Sequence, residues 1–334
     1  MLAFADAIIH WQKRHGRHDL PWQNTTDPYA IWVSEIMLQQ TQVAAVIAYY
    51  GKFMQRFPDI KSLANASQEE VLQSWSGLGY YSRARNLHHA AQKIVDDFKG
   101  EFPTDFDAIL SLPGIGRSTA AAISTFALNA PQPILDGNVK RVFARHFNIV
   151  GWPSLPKIEQ KMWQIAVREN PQNKAIAYTQ GLMDLGATLC MRTKPNCAAC
   201  PVNTSCVALA KNLISTLPTP KPRKIIPEKS TTMLVYVNGN EVMLEKRPPV
   251  GIWGGLWSFP EVEGLIGESL LAKLTHTFTH FKLHITPQLV YSHKANPQVN
   301  EAGKIWLPID DAISAAIPTP IRKILLQLKA LQST

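Results

Sequence analysis

The spacing of apolar residues changes once along this chain, and that change limits the folds open to it. Over roughly the first 210 residues, apolar side chains recur every three to four positions, which predicts amphipathic helices. The predicted helices cover residues 2–11, 28–38, 42–57, 68–75, 84–98, 118–128, 137–147, 157–169 and 174–189. We therefore predict an all-α domain over residues 1–213.

A segment rich in proline and basic residues follows, with the sequence ISTLPTPKPRKIIP at 214–227. This composition is typical of an extended, partly stiff linker, which we assign to residues 214–229. After it the apolar period becomes two, which predicts strands. We expect residues 230–334 to form a small α+β domain with a closing helix at 319–332.

Two stretches of the C-terminal domain carry the strand pattern most clearly. The sequences TTMLVYV (231–237) and EVMLEKR (241–247) flank Asn238-Gly239, a dipeptide typical of a tight hairpin turn. The sequence HTFTHFKLHI (276–285) also alternates, and we predict one continuous strand there. One face of that strand would hold Phe281, Leu283 and Ile285, and the other His276, Phe278, His280, Lys282 and His284.

Positive charge is concentrated in the helical part of the chain. The net charge is +9; residues 1–229 hold 25 Lys and Arg against 17 Asp and Glu, whereas residues 230–334 hold 9 against 8. This surplus favours a polyanionic partner such as nucleic acid, although a solvated basic surface gives the same count. No apolar run reaches the roughly 18 residues of a membrane span and no secretory leader is recognisable, so we expect a cytoplasmic protein, at the nucleoid in a bacterium.

All four cysteines of the chain lie close together, with the spacing Cys190-x6-Cys197-x2-Cys200-x5-Cys206. This clustering favours a metal centre in a reducing compartment over a disulfide framework. Four thiolates suit a tetrahedral zinc ion or a [4Fe–4S] cluster, and the spacing alone does not separate the two. Four buried thiols without a ligand are the other alternative.

Residues 112–120 read LPGIGRSTA, between an amphipathic segment and an Ala-rich helix. Gly114 and Gly116 permit a tight turn and leave backbone N–H groups uncovered where the second helix begins. Those donors and the positive end of the helix suit a DNA phosphate. An ordinary turn between two helices is the structural alternative.

Two carboxylates stand in contexts that predict acid–base chemistry. Glu35 lies in IWVSEIML (31–38), which is apolar almost all round, so burial would raise its pKa and let it hold a proton near neutral pH. Asp136 precedes a predicted helix, where an N-capping carboxylate stays ionised. One protonated and one ionised carboxylate form the pair that cleavage of a glycosidic bond requires. A Glu35 that faces a solvent gap or pairs with an arginine, and an Asp136 that only caps its helix, are the alternatives.

Several segments in one order resemble a known family. They are SEIMLQQTQV (34–43), GLGYYSRARNLH (77–88), LPGIGRSTA (112–120), ILDGNVKRV (134–142), the cysteine loop, RPPVGIWGGLWSFP (247–260) and HTFTHF (276–281). Their joint presence resembles the A/G-specific adenine DNA glycosylases, the MutY family of the endonuclease III superfamily. The resemblance implies an all-α helix–hairpin–helix glycosylase domain with a [4Fe–4S] cluster loop, followed by a small α+β Nudix-like domain.

The resemblance also implies the reaction, which is hydrolysis of the bond between deoxyribose and an adenine opposite 8-oxoguanine or guanine. Glu35 would protonate adenine N7, Asp136 would stabilise the oxocarbenium-like sugar, and Asn138 would order the site. Lyase members of the superfamily carry a lysine where this chain has Ser118, and a serine cannot form a Schiff base, so we expect hydrolysis by water alone. The implied cluster ligands are Cys190, Cys197, Cys200 and Cys206.

For DNA, the resemblance implies that Gln40 and Tyr80 fill the base stack beside the extruded adenine, which offsets part of the cost of flipping. Helix-face exposure for Gln40 and core packing for Tyr80 are the alternatives. Residues Gly114, Gly116 and Ser118 would lie at the DNA backbone.

Four further side chains are candidates for contact with DNA. Lys140 is a candidate phosphate contact or reactive amine, and Trp22 a candidate wall of the adenine pocket. Arg192 and Lys194 in the cysteine loop suit phosphates, although they could equally be solvated charges.

In the C-terminal domain, the resemblance implies that Phe278, Thr279 and His280 contact 8-oxoguanine, with a turn or bulge needed to present Thr279. The carboxylate-rich metal-binding helix of active Nudix hydrolases is missing, since residues 262–273 hold only two acidic residues. We therefore expect a recognition domain without a second hydrolase activity. An edge strand with scattered histidines is the alternative.

Two other functions stay open. A pyrimidine-specific glycosylase with lyase activity, like endonuclease III, is disfavoured by Ser118 and by the extra domain. An iron–sulfur DNA-binding protein without enzymatic activity is disfavoured by the Glu35 and Asp136 contexts. We expect a monomer whose partner is double-stranded DNA with A:8-oxoguanine or A:G mispairs.

Overall fold

The computed structural model describes residues 3–222, 225–264, 271–291 and 303–332. The chain forms two compact units, of which the first joins Met1–Lys61 to His89–Arg223 and the second joins Ser62–His88 to Lys224–Thr334. Residues 62–88, which the sequence assigns to the helical domain, therefore pack with the C-terminal residues. The predicted domain boundaries stay a prediction.

The chain up to residue 222 is helical, as the apolar spacing predicts, and residues 3–222 contain no strand. The helices are α1 (Phe4–His15), α2 (Pro28–Leu38), α3 (Val43–Arg56), α4 (Ile60–Asn65), α5 (Gln68–Ser74), α6 (Ser82–Phe98), α7 (Phe106–Leu110), α8 (Arg117–Leu128), α9 (Gly137–His146), α10 (Pro156–Glu169), α11 (Ala175–Asp184) and α12 (Val207–Ala210). A π-helical turn, Leu185–Leu189, continues α11 and ends immediately before Cys190.

The core of the first unit lies where α1, α9, α10 and α11 meet, and Ile8, Phe143 and Met162 are fully buried there. A buried ion pair fixes the end of α11 to the N-terminal segment. Asp184 is fully buried and accepts hydrogen bonds from the backbone N–H and Nε of Arg17 at 2.9 and 2.7 Å. Because this carboxylate is fully paired, the interior tolerates its charge.

The second unit holds a mixed seven-stranded sheet. Its strands are β1 (Glu228–Asn238), β2 (Glu241–Lys246), β3 (Trp257–Ser258), β4 (Glu261–Val262), β5 (Leu274–Thr277), β6 (Lys282–Tyr291) and β7 (Lys304–Pro308). The order is β3-β2-β1-β6-β5, with β4 beside β1 and β7 beside β2. Among the described strands, the central β1–β6 pair is parallel and the other pairs are antiparallel. Helices α13 (Ile309–Ser314) and α14 (Thr319–Gln332) follow, which confirms the predicted closing helix.

The predicted hairpin between β1 and β2 is confirmed. Val237 pairs with Val242 and Asn238 with Glu241, so Gly239 and one further residue form the turn. Gly239 has a φ of 57°, a left-handed conformation that glycine adopts without strain.

The prediction of one continuous strand over 276–285 is wrong. The backbone N–H of Phe278 donates to the carbonyl of Phe281 at 2.8 Å, which closes a turn between β5 and β6. His276 then pairs directly with Leu283, so the two share one face, whereas a single strand would separate them. Thr279 therefore lies in a turn and not within a strand.

Part of the segment in which a Nudix metal-binding helix would be expected, residues 265–270, lies outside the described residues. Within the part of the chain that the structure describes, no helix combines the length and apolar character needed to span a membrane.

Candidate active site

A large cleft in the first unit is lined by both predicted carboxylates, Glu35 on α2 and Asp136 at the start of α9. Other predicted site residues line the same cleft: Trp22, Gln40, Gly116, Ser118, Asn138 and Lys140. Basic side chains on its walls include Arg17, Arg117 and Arg141. The second unit holds Tyr80 and the turn that carries Phe278, Thr279 and His280.

Glu35 lies on a helix that is buried on nearly every side. Asp27 caps this helix by accepting a hydrogen bond from Tyr29 N at 3.0 Å, and Trp32 and Val33 are fully buried. Two causes raise the pKa of Glu35 to about 8. The larger is burial, and the smaller is the nearby negative charge of Asp136. None of the described residues donates a hydrogen bond to this carboxyl, so nothing offsets its lost hydration.

Asp136 is equally enclosed but has donors. Its Oδ1 accepts from Val139 N at 2.7 Å, which caps α9, and its Oδ2 accepts from Asn138 Nδ2 at 3.3 Å. Burial raises the pKa of Asp136, while these hydrogen bonds and the charge of Arg141 oppose that rise. The predicted ionisation of Asp136 is therefore opposed by its burial and supported by its hydrogen-bond donors.

The difference between the two carboxyls decides which one keeps the proton. Asp136 has donors that favour its anion, and Glu35 has none and also feels the charge of Asp136. Asp136 therefore ionises first and Glu35 retains its proton. A protonated acid beside an anion can protonate a leaving base and stabilise a developing cation.

Arg141 is a residue of the site that the sequence did not single out. Its Nη2 donates to Asn138 Oδ1 at 2.8 Å, and Asn138 in turn donates to Asp136. Its Nε donates to the carbonyl of Cys190 at 2.7 Å. One guanidinium thus orients the amide beside Asp136 and also holds the start of the cysteine loop.

Gly186, in the π-helical turn, is a second residue that sequence reasoning missed. A Cβ at this position would lie 2.6 Å from Asn138 Cβ and 3.0 Å from its Cα. Only glycine therefore lets the turn approach Asn138 this closely. A π-helical turn and a tight glycine contact at one place are signals of a functional site that only the structure reveals.

The helix–hairpin–helix forms as predicted between α7 and α8. Gly114 has a φ of 82° in the turn. Gly116 is the N-cap of α8, with no side-chain cap and open space beside its Cα. Ser118, the second residue of α8, accepts a hydrogen bond from Leu135 N at 3.3 Å. Gln39 donates to Gly114 O at 3.4 Å, which ties the hairpin to the end of α2.

The remaining cleft residues have distinct environments. Gln40 is exposed in the turn after α2 with a φ of 57°, so it is not on a helix face. Trp22 is mostly buried but still lines the cleft. Its ring and that of Tyr50 pack edge to face, with centroids 5.4 Å apart. Lys140 forms an ion pair with Glu159 at 2.7 Å.

The four cysteines line one pocket together with Val142 and Leu189. Burial is the main cause that raises the pKa of Cys200 to about 11. The other three thiols add to this rise, and a hydrogen bond from Val202 N opposes it. This coupling indicates that the thiols converge. Within the described residues, however, no group of three or more His, Cys, Asp or Glu side chains is arranged to hold a single metal ion.

Arg145, which is almost fully buried, encloses the cysteine loop. Its Nη1 lies 3.4 Å from Cys190 Sγ and donates to Met191 O at 2.8 Å, while its Nε donates to Leu217 O at 2.8 Å. Arg145 therefore fixes the backbone of the loop at three carbonyl groups and one sulfur. Arg192 and Lys194 are exposed on the same loop.

In the second unit, Tyr80 is 44% exposed and has a φ of 50°. The Phe278 ring stacks on Phe281 with centroids 4.5 Å apart and lies 5.5 Å from Trp253. Thr279 and the next residue, His280, are exposed at the tip of this turn.

Two family models match this chain, one within its helical part and one within its strand-containing part. Residues 33–167 match the HhH-GPD superfamily of base excision DNA repair proteins, and residues 231–327 match the NUDIX domain. The structure of a thermostable thymine-DNA glycosylase has a TM-score of 0.57 at 30% identity and covers 62% of this chain and 95% of its own. A non-covalent endonuclease III–DNA complex, with a TM-score of 0.53 at 22% identity over 64% and 99% of the two chains, shows the shared fold.

Sequence relatives extend the similarity over the whole length. The adenine DNA glycosylase of Buchnera aphidicola subsp. Acyrthosiphon pisum is 39% identical over 342 residues, which cover 98% of this chain and 97% of that protein. The predicted fold class of a helix–hairpin–helix domain followed by a Nudix-like domain is confirmed. The chain belongs to the adenine DNA glycosylase family, whose members are base excision repair enzymes that hydrolyse N-glycosyl bonds.

Proposed function

We propose that this enzyme removes adenine mispaired with 8-oxoguanine or guanine in duplex DNA, with Glu35 as general acid and Asp136 as the anion that stabilises the sugar cation. The observation that carries the proposal is the pair of enclosed carboxyls in one cleft, of which only Asp136 has hydrogen-bond donors. The basic cleft walls and the open N-terminus of α8 suit the phosphates of the duplex.

The reaction separates charge, and each carboxyl handles one part of it. Glu35 gives its proton to adenine N7 as the bond between C1′ and N9 breaks, so the bonding electrons leave with a neutral base. Asp136 faces the cationic sugar that remains, and Asn138, held by Arg141, keeps that carboxylate oriented. Water then adds to C1′ and gives one proton to the Glu35 carboxylate, which restores the acid and leaves an abasic site in the DNA strand.

Ser118 makes this a hydrolase without a strong lyase step. Its hydroxyl oxygen accepts a hydrogen bond from the backbone N–H of Leu135, and serine has no amine that could attack the sugar. Lys140, the nearest candidate amine in the sequence motif, is held by Glu159. We therefore propose that abasic DNA is released uncut.

The turn of Phe278, Thr279 and His280 is proposed to read 8-oxoguanine. It presents an aromatic ring, a hydroxyl and an imidazole at an exposed tip, and the stack on Phe281 keeps the ring in place. Stacking on the base and hydrogen bonds to its edge are the usual means of recognising a single base.

The cysteine pocket is proposed to hold a [4Fe–4S] cluster, because four converging thiols beside buried Arg145 fit a four-thiolate cofactor of negative charge. Cys190, Cys197, Cys200 and Cys206 would be its ligands. When bound, the cluster crosslinks the loop and so stabilises the wall of the cleft to which Arg141 connects it.

Three duplexes test the proposed activity in single-turnover experiments, one with adenine opposite 8-oxoguanine, one with adenine opposite guanine and one with thymine glycol. We expect adenine release from the first two without strand scission and no reaction of the third. Release of thymine glycol with scission would instead indicate a pyrimidine-specific lyase, and tight binding without any release would indicate a non-enzymatic DNA-binding protein.

Substitutions of Thr279 test lesion reading with a matched pair. Thr279→Val keeps the shape and removes the hydroxyl, so we expect the ratio of the A:8-oxoguanine rate to the A:G rate to fall about fivefold to tenfold, the value of one hydrogen bond. Thr279→Ser keeps the hydroxyl and should leave the ratio unchanged. Equal losses on both duplexes for Thr279→Val would remove this residue from lesion reading.

Metal analysis of the purified full-length protein tests the cofactor. We expect a brown protein with about four iron and four sulfide per chain. Cys200→Ser should lose most of the iron and unfold at a lower temperature, because the loop then lacks its crosslink. A colourless protein with one zinc ion per chain would contradict the assignment.

A further inference from the structure

Residues 75–81, here called the Tyr80 loop, hold an unusual backbone. Gly77, Gly79 and Tyr80 have φ values of 105°, 72° and 50°, and the last is not a glycine. A non-glycine residue keeps such a conformation only where its surroundings fix it. The exposed Tyr80 ring is thus presented by a loop that needs external support.

Part of that support comes from the same segment. The guanidinium of Arg83 lies over both the Tyr80 and the Trp75 rings, 5.4 Å from each centroid. Arg83 Nη2 donates to Gly79 O at 3.1 Å, and Trp75 Nε1 donates to the same carbonyl at 3.2 Å. These contacts fix the inside of the loop.

The other support comes from the C-terminal part of the second unit, at the connection between α13 and α14. The carbonyl of Ile317 accepts hydrogen bonds from Ser76 Oγ at 3.0 Å and from Tyr81 Oη at 3.3 Å. Arg322 Nη2 donates to Ser76 Oγ at 2.9 Å. Ser76, Tyr81 and Ile317 are all buried, so water does not compete for these bonds.

Helices α5, before the loop, and α6, after it, contact C-terminal residues at a second place. Glu69 accepts hydrogen bonds from Trp257 Nε1 at 2.5 Å and from Lys246 Nζ at 2.9 Å. Arg85 Nη1 donates to Gly254 O at 2.8 Å. The Tyr80 loop therefore lies between two sets of contacts to C-terminal residues.

We propose that the C-terminal domain positions Tyr80 for extrusion of adenine, with Arg322 as a positioning residue that acts through Ser76 and the Ile317 carbonyl. This role differs from lesion reading, because it concerns the wedge beside the adenine and is independent of the opposite base. It rests on the proposed function of Tyr80 as that wedge. Removal of the whole domain would abolish both roles together, so single substitutions are needed.

The test uses the full-length protein with Arg322→Met, which keeps the apolar stem and removes the donor. We expect single-turnover excision to be about tenfold slower on A:8-oxoguanine and A:G duplexes alike, with the ratio of the two rates unchanged. A 2-aminopurine next to the adenine should report slower unstacking. Lys323→Met, at the exposed neighbouring position, is the matched control and should behave like the wild type.

Combination with Tyr80→Ala separates this inference from the function on which it rests. Tyr80→Ala alone should be slow, and Arg322→Met should add little to it, because both act through one ring. Wild-type rates for Tyr80→Ala would contradict the wedge role itself. If Tyr80→Ala is slow, two results would overturn the positioning role alone. One is a wild-type rate for Arg322→Met, and the other is a double variant in which the two losses add in full.

Tyr81→Phe provides a second variant in case Arg322→Met folds poorly. It removes one hydroxyl that donates to the Ile317 carbonyl and keeps the buried ring. We expect a slower rate on both duplexes with a thermal unfolding midpoint close to that of the wild type. A normal rate on both duplexes would contradict the proposal.

Discussion

Glu35→Gln is expected to slow adenine excision by roughly 10³- to 10⁴-fold, because the amide has the shape of the acid but cannot protonate the leaving base. Duplex binding should change little, since this side chain lies within the cleft and carries no net charge when protonated. Single-turnover excision and equilibrium binding to the A:8-oxoguanine duplex measure the two effects separately. A variant that retains more than a tenth of the wild-type rate would remove Glu35 from the role of general acid.

The same substitution should stabilise the folded protein at neutral pH. The pKa of Glu35 is raised from 4.5 to about 8 on folding, so its contribution to stability is fully present below pH 4.5 and is lost as the pH rises towards 8. Glutamine has no such dependence, and we expect it to add up to about 3 kcal/mol to the free energy of unfolding at pH 7. Thermal unfolding should show this advantage at pH 7 and almost none at pH 4.

Asp136→Asn is expected to slow excision by about 10²- to 10³-fold, because the neutral amide cannot stabilise the developing sugar cation. Asparagine caps helices as well as aspartate does, so α9 should remain intact and the unfolding midpoint should not fall. The measurements are single-turnover excision and thermal unfolding.

Asp136→Ala serves as the control for this separation. It removes both the charge and the cap, so it should lose activity and also about 1 kcal/mol of stability. If Asp136→Asn excised adenine at the wild-type rate while Asp136→Ala was slow, the carboxylate would be only a structural cap.

The sequence predicts the parts of this site that depend on local chemistry. Apolar residues on every side of Glu35 indicate burial, and Asp136 before a helix indicates an N-cap. In the structure Asp136 caps α9, and burial is the main cause that raises the pKa of Glu35. The contacts of Gly186 and Arg141 with Asn138, whose amide donates to Asp136, were not predictable. A single glycine in an apolar segment gives no sign that it contacts a residue far away in the chain.

The error at 276–285 has a simple origin. The turn residues Phe278, Thr279, His280 and Phe281 include no glycine, proline, asparagine or aspartate, which are the usual signals of a turn. Alternation on both sides of the turn therefore reads as one strand. The stacked pair of Phe278 and Phe281 stabilises the reversal instead.

The packing of residues 62–88 with the C-terminal residues was equally out of reach. It depends on side chains such as Ser76 and Gln73 that donate to the backbone carbonyls of Ile317 and Ser314. Every residue has a backbone carbonyl group, so the sequence does not show which carbonyl accepts a hydrogen bond. The spacing of apolar residues shows that residues 62–88 form helices, but it does not show which part of the chain those helices pack against. The sequence therefore assigns them to the helical domain.

The most direct test of the account is the pKa of Glu35 itself. In full-length protein with ¹³C-labelled glutamate, the carboxyl resonance that disappears in Glu35→Gln identifies this residue, and its shift can be followed from pH 4 to pH 9. We predict a midpoint near pH 8, so the group is protonated at neutral pH. A midpoint near its ordinary value of 4.5 would leave no proton for adenine and would contradict the proposed mechanism.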